Sequence, residues 1–450
     1  MREKLTKSQS FRSRAGRSGI KPAKKILFHN ARIIDGSTEN SGCYDLLIIE
    51  GKIYDIKPEI SLPRDFDGEI FDLQNKLVLP GFLDLHVHFR EPGREDEETL
   101  LSGAQAAMAG GFTAVCTMPN TQPVTDNREI IEFIFDELKD HLISVYPIAA
   151  ITRGEKGEEL VEMAELVEAG VVAFSDDGKS VASSLVLRRA LEYARMFDVP
   201  IIEHCEDAAL AAGGAMHEGF VSTNLGIPGI PALAEDVVVA RNIMLAEYTK
   251  SKMHIAHIST KGAVELVRRA KGKGIAVTAE TTPHHFTLSD ETIKSFDSNY
   301  KMNPPLRSQE HIQAIIEGLK DGTIDAIATD HAPHSIEEKD VEFVAAPFGI
   351  IGLETALGLV IKKLVQPGVL NWNQVVEKLC LNPYRILGLP EPGIKSGQPA
   401  NLTIIDPEIK WTVDKAKFKS RSRNTPFDGW ELQGKVFSVV NNGFYYLNDT

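Results

Sequence analysis

Two rhythms of apolar and polar residues divide the chain. Near both ends, short runs such as ILFHNARIIDG, YDLLIIEGKIYDIKP, NLTIIDP and GKVFSVVNNG are separated by Asn, Asp and Gly, the punctuation of strands joined by tight turns. Between them lie eight short apolar runs, FLDLHVHF, FTAVCTMP, ISVYPIAAI, VVAFSDD, PIIEHCE, KMHIAHIS, IAVTAETT and IDAIATDH. They take turns with amphipathic stretches, among them EIIEFIFDELKDHL, EELVEMAELVEAG, SLVLRRALEYARMFD, AEDVVVARNIMLAEYTK and GAVELVRRAKGKG. Apolar strands alternating with helices imply a parallel sheet covered on both faces, and eight such units predict an α/β fold of the TIM-type (β/α)8 barrel kind. The simplest organisation puts the barrel at residues 80–390, inserted into one small β-sandwich domain built from both chain ends, residues 26–79 and 391–450.

Residues 1–25 differ in kind. They hold nine Lys or Arg against one acid, Glu3, with no apolar core of a secretory signal, so a disordered basic tail or an early start codon is expected rather than a transit peptide. The formal net charge of -14 over 450 residues argues against nucleic acid or an anionic membrane as partner. No apolar run is long enough to span a bilayer. The four cysteines are widely spaced without a C-x-x-C pair, which argues against a zinc knuckle or disulfide framework and fits a reducing cytoplasm.

Polar clusters fall at the ends of the predicted barrel strands, where barrel enzymes carry their chemistry. The first strand ends in His86-x-His88-x-Arg90, three side chains that share one face of an extended strand: two imidazoles suited to a divalent metal and a guanidinium suited to a carboxylate. The fourth ends in Asp176-Asp177-Gly178, the fifth in His204 between Glu203 and Glu206. The sixth carries His254 and His257, which in an extended strand point to opposite faces, so one of them looks into the barrel mouth. The eighth ends in Asp330, flanked by His331 and His334. Taken singly, each has an ordinary explanation as a turn, a packed histidine or a solvated face. Four histidines and two aspartates on one rim exceed the three protein ligands of a single catalytic zinc and match two metals sharing a bridge.

HVHFREPG, MPNT, FSDDG, EHCED, HIST, TPHH, MNPPLR, ATDHAPH and APFGIIGLET occur in the order found in class I dihydroorotases of the amidohydrolase superfamily, which the chain resembles from Ile26 onward. The resemblance implies zinc, two ions per subunit: His86 and His88 on the first, His204 and His257 on the second, Asp177 bridging, and Asp330 as first-metal ligand and acid–base group. It implies that Arg90, Asn120 and His334 hold the substrate carboxylate, and that Asn303 and the backbone of Phe348 and Gly349 touch the ring. His284 and His285 match a family motif without a ligand role. The implied reaction is reversible cyclisation of N-carbamoyl-L-aspartate to (S)-dihydroorotate in de novo pyrimidine biosynthesis, through a hydroxide bridging two metals. A homo-oligomer, by default a dimer, is expected, with aspartate carbamoyltransferase as a partner on which some class I members depend. One departure stands out: the family commonly has a lysine where this chain has Glu97, before Glu98-Thr99.

Two rivals follow. Another cyclic amidase, a hydantoinase, dihydropyrimidinase or allantoinase, acts on neutral rings that need no guanidinium and generally bridges its metals with a carboxylated lysine. A catalytically silent homologue serving as a scaffold typically loses ligands, whereas all six are present here. The segment 335–347 reads either as a lid or as a static loop.

Overall fold

The computed structural model describes residues 19–37 and 42–448. Eight strands follow the predicted apolar runs: β1 (Phe82–Val87), β2 (Phe112–Thr117), β3 (Ser144–Ala149), β4 (Ala173–Phe174), β5 (Ile201–Glu203), β6 (Met253–Ile255), β7 (Val277–Thr281) and β8 (Ala326–Ile327). Each pairs in parallel with the next. A parallel bridge between Val87 and His331, with the His88 amide donating to the His331 carbonyl at 2.9 Å, joins the last strand back to the first. β1 and β2 are buried along their whole length, as strands covered on both faces must be. A helix fills every gap between consecutive strands: Leu100–Gly110, Arg128–Glu137, Met163–Glu168, Ser184–Arg195, Leu233–Thr249, Lys261–Gly272 and Gln309–Asp321.

Local chemistry sets several boundaries. Thr99, Ser183 and Thr260 cap their helices by accepting from the Ser102, Val186 and Ala263 amides. The stretch EELVEMAELVEAG becomes helical only at Met163, because Leu160 first bridges Thr152 and the Val161 amide donates to the Ile151 carbonyl.

Nine strands from the two chain ends form one mixed sheet. Phe28, Leu46, Ile48 and Val78 from the first end and Leu402, Ile404, Val440 and Tyr445 from the second share a single apolar cluster. Full burial of a side chain of this size contributes roughly 2 kcal/mol, so the two ends hold one another. The sheet begins earlier than the expected tail boundary at residue 25: Ile20–Pro22 pairs antiparallel with Phe444–Leu447, and the Ala23 amide donates to the Gly443 carbonyl at 2.7 Å. The basic residues alternate there with Ile20, which packs against the core, and Lys21 lies 5.7 Å from the Tyr445 ring. The remainder of that tail, residues 1–18, lies outside the described residues.

Leu77–Pro80 runs directly into β1 through Gly81. A Cβ there would come within 1.8 Å of Asn401 Oδ1 and 2.2 Å of Thr113 Oγ1, so a larger residue would push sheet and barrel apart. Cys116, Cys205 and Cys380 are buried free thiols whose pKa burial pushes up. Among the described residues, no helix is long and apolar enough to cross a membrane.

Candidate metal centre

The six predicted ligand residues converge at the mouth of the barrel. His86 Nε2 lies 3.3 Å from Asp177 Oδ1 and 3.6 Å from Asp330 Oδ1; His88 Nε2 lies 3.1 Å from Asp330 Oδ1 and 3.4 Å from Asp177 Oδ2. His257 Nε2 lies 3.5 Å from Asp177 Oδ1 and 3.1 Å from His204 Nδ1. Three overlapping triads each place their ligand atoms within 4.8 Å: His86, His88 and Asp177; His86, His257 and Asp330; Asp177, His204 and His257. Asp177 belongs to two of them, one on each side. Its neighbour Asp176 turns away and accepts from the Ile151 and Thr152 amides and the Thr152 hydroxyl, holding the loops after β3 and β4 together.

The donor set fits divalent cations. His86 Nδ1 faces Glu280 Oε1 at 3.2 Å and His88 Nδ1 faces Asn120 Oδ1 at 2.8 Å, so each ring donates backward and turns the Nε2 lone pair toward the carboxylates. Lone pair then faces lone pair across the centre, where His86 Nε2 and Asp177 Oδ1 are buried without a hydrogen bond. Positive charge between them removes that conflict.

Arg90, His257 and Asp330 have φ of +58°, +30° and +47°, left-handed backbone that costs about 1 kcal/mol or more per residue and turns each side chain into the mouth just after its strand stops. Of the two histidines of the sixth strand, His257 lines the mouth and His254 does not; the extended conformation ends at Ile255, between them. His254 sits deeper and pairs with Glu280 at 3.2 Å, which in turn meets His86.

Glu280 and Asp84 are the buried acids that spacing did not reveal. Burial would raise Glu280, yet its contacts with His254 and His86 outweigh this and hold it at about 2. Asp84 is pushed up to about 7 by burial, while its Oδ1 accepts from the His86 and Thr329 amides and ties β1 to the segment after β8. Asp177 and Asp330 are likewise desolvated, but the neighbouring imidazoles of His86, His257 and His88 hold both below the usual carboxylate range. A lone acid inside an otherwise apolar barrel strand, as in IAVTAETT and FLDLHVHF, is the signal that could have found the first two.

A cavity of about 360 Å³ opens above this floor and is lined by His88, Asp177, His204, His257 and Asp330 together with all six predicted substrate contacts, Arg90, Asn120, Asn303, His334, Phe348 and Gly349. His86 lies beneath it, fully buried. Arg90 Nε donates to the Pro333 carbonyl at 3.2 Å. His334 Nε2 donates to the Phe348 carbonyl at 2.8 Å. Asn303 Nδ2 lies 3.5 Å from His204 Nε2. Gly349 has φ +153°, and a Cβ on it would meet the Ala332 carbonyl at 2.7 Å and His334 Nε2 at 2.8 Å. The flanking histidines are structural: His331 donates to Glu98 and accepts from the Gly352 amide, and His285 bonds Thr282 and the Pro304 carbonyl beside the buried His284.

Segment 335–347 is tied down on two sides. Its short helix Ile336–Lys339 offers Glu338 to Arg94 at 2.8 Å, and the buried Lys339 ammonium donates to the Pro347 and Gly349 carbonyls at 2.9 and 3.1 Å.

Residues 75–263 match the Dihydro-orotase-like family model. The chain is 51% identical over 425 residues to a dihydroorotase of Pelotomaculum thermopropionicum, covering 94% of this chain and 99% of that protein. It is 50% identical to a dihydroorotase of Syntrophus aciditrophicus, over 93% of this chain and 98% of the relative. Among solved structures it resembles the L-hydantoinase (dihydropyrimidinase) of Arthrobacter aurescens, with a TM-score of 0.84 at 22% identity over 95% of this chain and 97% of that one. A dihydropyrimidinase of Brevibacillus agri superposes with a TM-score of 0.81 at 21% identity, over 94% and 95% of the two chains. The structural likeness at this identity is one of fold.

Proposed function

The chain belongs to the dihydroorotase family, and from that premise we propose that it catalyses the reversible cyclisation of N-carbamoyl-L-aspartate to (S)-dihydroorotate in pyrimidine biosynthesis. The observation that carries the substrate is the placement of Arg90 and His334 on the same cavity as the histidine–aspartate floor. A metal centre alone speaks for amide hydrolysis; a guanidinium beside it speaks for a ring that bears a carboxylate.

In this reading His86, His88 and Asp330 would hold one zinc ion and His204 and His257 a second, with Asp177 within reach of both ligand sets. Bound there, the two ions would lower the pKa of a water and polarise the ring amide carbonyl. Asp330 accepts the proton of the attacking water and passes it to the ring nitrogen as the C–N bond breaks and the C–O bond forms. Arg90, Asn120 and His334 orient the carboxylate, and Asn303 with the backbone at Phe348 and Gly349 positions the ring. The open product carries one more carboxylate than the ring, so closure consumes a proton and is favoured at lower pH. The residue shared by the two ligand sets is the carboxylate Asp177, while Lys179, beyond the strand-four turn, directs its ammonium to the Glu155 carbonyl at 3.4 Å. We place the enzyme in the cytoplasm as a homodimer, with aspartate carbamoyltransferase as the partner to test by co-purification.

Steady-state assays in both directions on metal-quantified protein, with dihydroorotate set against dihydrouracil, hydantoin and allantoin, test the proposal. Preference for dihydroorotate is expected. Equal turnover of dihydrouracil would overturn the substrate assignment, and metal-free, inactive protein would favour the scaffold.

A further inference from the structure

We propose that Glu97 is a positioning residue for substrate recognition, locking Arg90 and His334 into one clamp for the substrate carboxylate; this rests on the function proposed above. Glu97 is 2% exposed, although a carboxylate at the rim of an open cavity would ordinarily be hydrated. Its two oxygens are taken by three side chains from two loops. Oε1 meets His334 Nδ1 at 2.8 Å and Arg94 Nη2 at 3.2 Å, and Oε2 meets Arg90 Nε at 3.3 Å. The Ser422 hydroxyl donates to its backbone carbonyl at 2.7 Å and fixes the residue from behind.

The geometry leaves the terminal nitrogens of Arg90 to meet a ligand and spends both ring nitrogens of His334 on fixing its place in the cavity wall. Arg90 spends Nε on Glu97 and on the Pro333 carbonyl, so its terminal nitrogens are what it can present to the cavity. His334 is held at both ring nitrogens, by Glu97 and by the Phe348 carbonyl, which fixes its plane against the backbone proposed to touch the ring. Without Glu97, Arg90 and Arg94 would face each other with less compensation, and two flexible groups would have to be ordered when substrate binds. Glu97, His334 and Glu338 also have the chemistry of a cation site. Arg90 and Arg94 already supply the positive charge there, which makes a clamp the better assignment.

A lysine at this position, as the family resemblance leads one to expect, would have no acceptor and could replace none of these bonds.

The test compares the wild type with Glu97→Lys, Glu97→Ala and Glu97→Gln, each checked by circular dichroism and metal content. KM for dihydroorotate and for N-carbamoyl-L-aspartate is expected to rise roughly tenfold or more in Glu97→Lys and Glu97→Ala, the scale of one lost charge-assisted bond, while kcat falls far less. Glu97→Gln keeps one acceptor and should recover part of the loss. The preference for dihydroorotate over dihydrouracil should drop by a similar factor, because a ring without a carboxylate does not use the clamp. Unchanged KM in folded, metal-replete variants would overturn the inference, as would an equal loss on both rings; if the Lys and Ala variants misfold, the near-isosteric Gln variant decides it. A wild type that does not turn over dihydroorotate would instead overturn the functional reading, and the clamp with it.

Discussion

On the floor of the cavity each ionisable side chain leaves a barrel strand end and two are backed by a second group, the buried Glu280 behind His86 and Asn120 behind His88. At the rim, Arg90, Glu97, His334 and Glu338 come from two loops and bond chiefly to one another. Glu280 is fully buried, whereas the Glu338 side chain is 36% exposed. Register fixes the floor; loop-to-loop ion pairs fix the rim. Floor residues should therefore be felt in the chemical step and in metal retention, and rim residues in KM.

Asp330→Ala strikes the floor hardest. Loss of the proton carrier is expected to lower kcat on the order of 10³-fold or more while metal, measured per chain by elemental analysis, is only partly lost. Retained turnover would remove Asp330 from its acid–base role. Glu280→Gln comes next: a neutral amide holds the His86 ring less firmly, so metal affinity should fall about 10- to 100-fold in chelator competition with KM nearly unchanged. A rise in KM with full metal occupancy would break the division between floor and rim.

The same division explains what could be read from sequence. Eight apolar runs and the ligand-type residues at their ends were legible because strand spacing ties position to direction, from His86 on β1 and His88 just past it to His204 just past β5. The rule says that one of His254 and His257 faces the mouth but not which: His257 has left the extended conformation, and its left-handed backbone brings it to the cavity. Asp176 and Asp177 differ only in which way a turn points them, and family resemblance rather than spacing separated them. Glu97 and His334 lie 237 residues apart, and nothing local in either loop announces the other. The start of the end sheet at Ile20 was hidden because nine basic residues outweighed one short pairing segment in the composition of the first 25.

Lys339 offers the smallest and most selective probe of the rim. Its ammonium spans the Pro347 and Gly349 carbonyls, on either side of Phe348, and so pins the backbone proposed to contact the ring. Lys339→Met keeps the bulk and removes the donors; KM is expected to rise roughly threefold, the worth of a modest hydrogen bond, with metal content unchanged. Burial, then the neighbouring Lys301, lowers the Lys339 pKa from 10.5 to about 7. Between those values the unfolded chain binds more protons than the folded one, so the contribution of Lys339 to stability is fully present above 10.5 and is lost as pH falls toward 7. The melting temperature of the wild type relative to Lys339→Met should accordingly climb from pH 7 to 10.5. A flat difference would mean that the ammonium is not desolvated where it sits, and an unchanged KM would mean that Phe348 and Gly349 are held by the His334 bond and the Gly349 amide's bond to the Lys301 carbonyl alone.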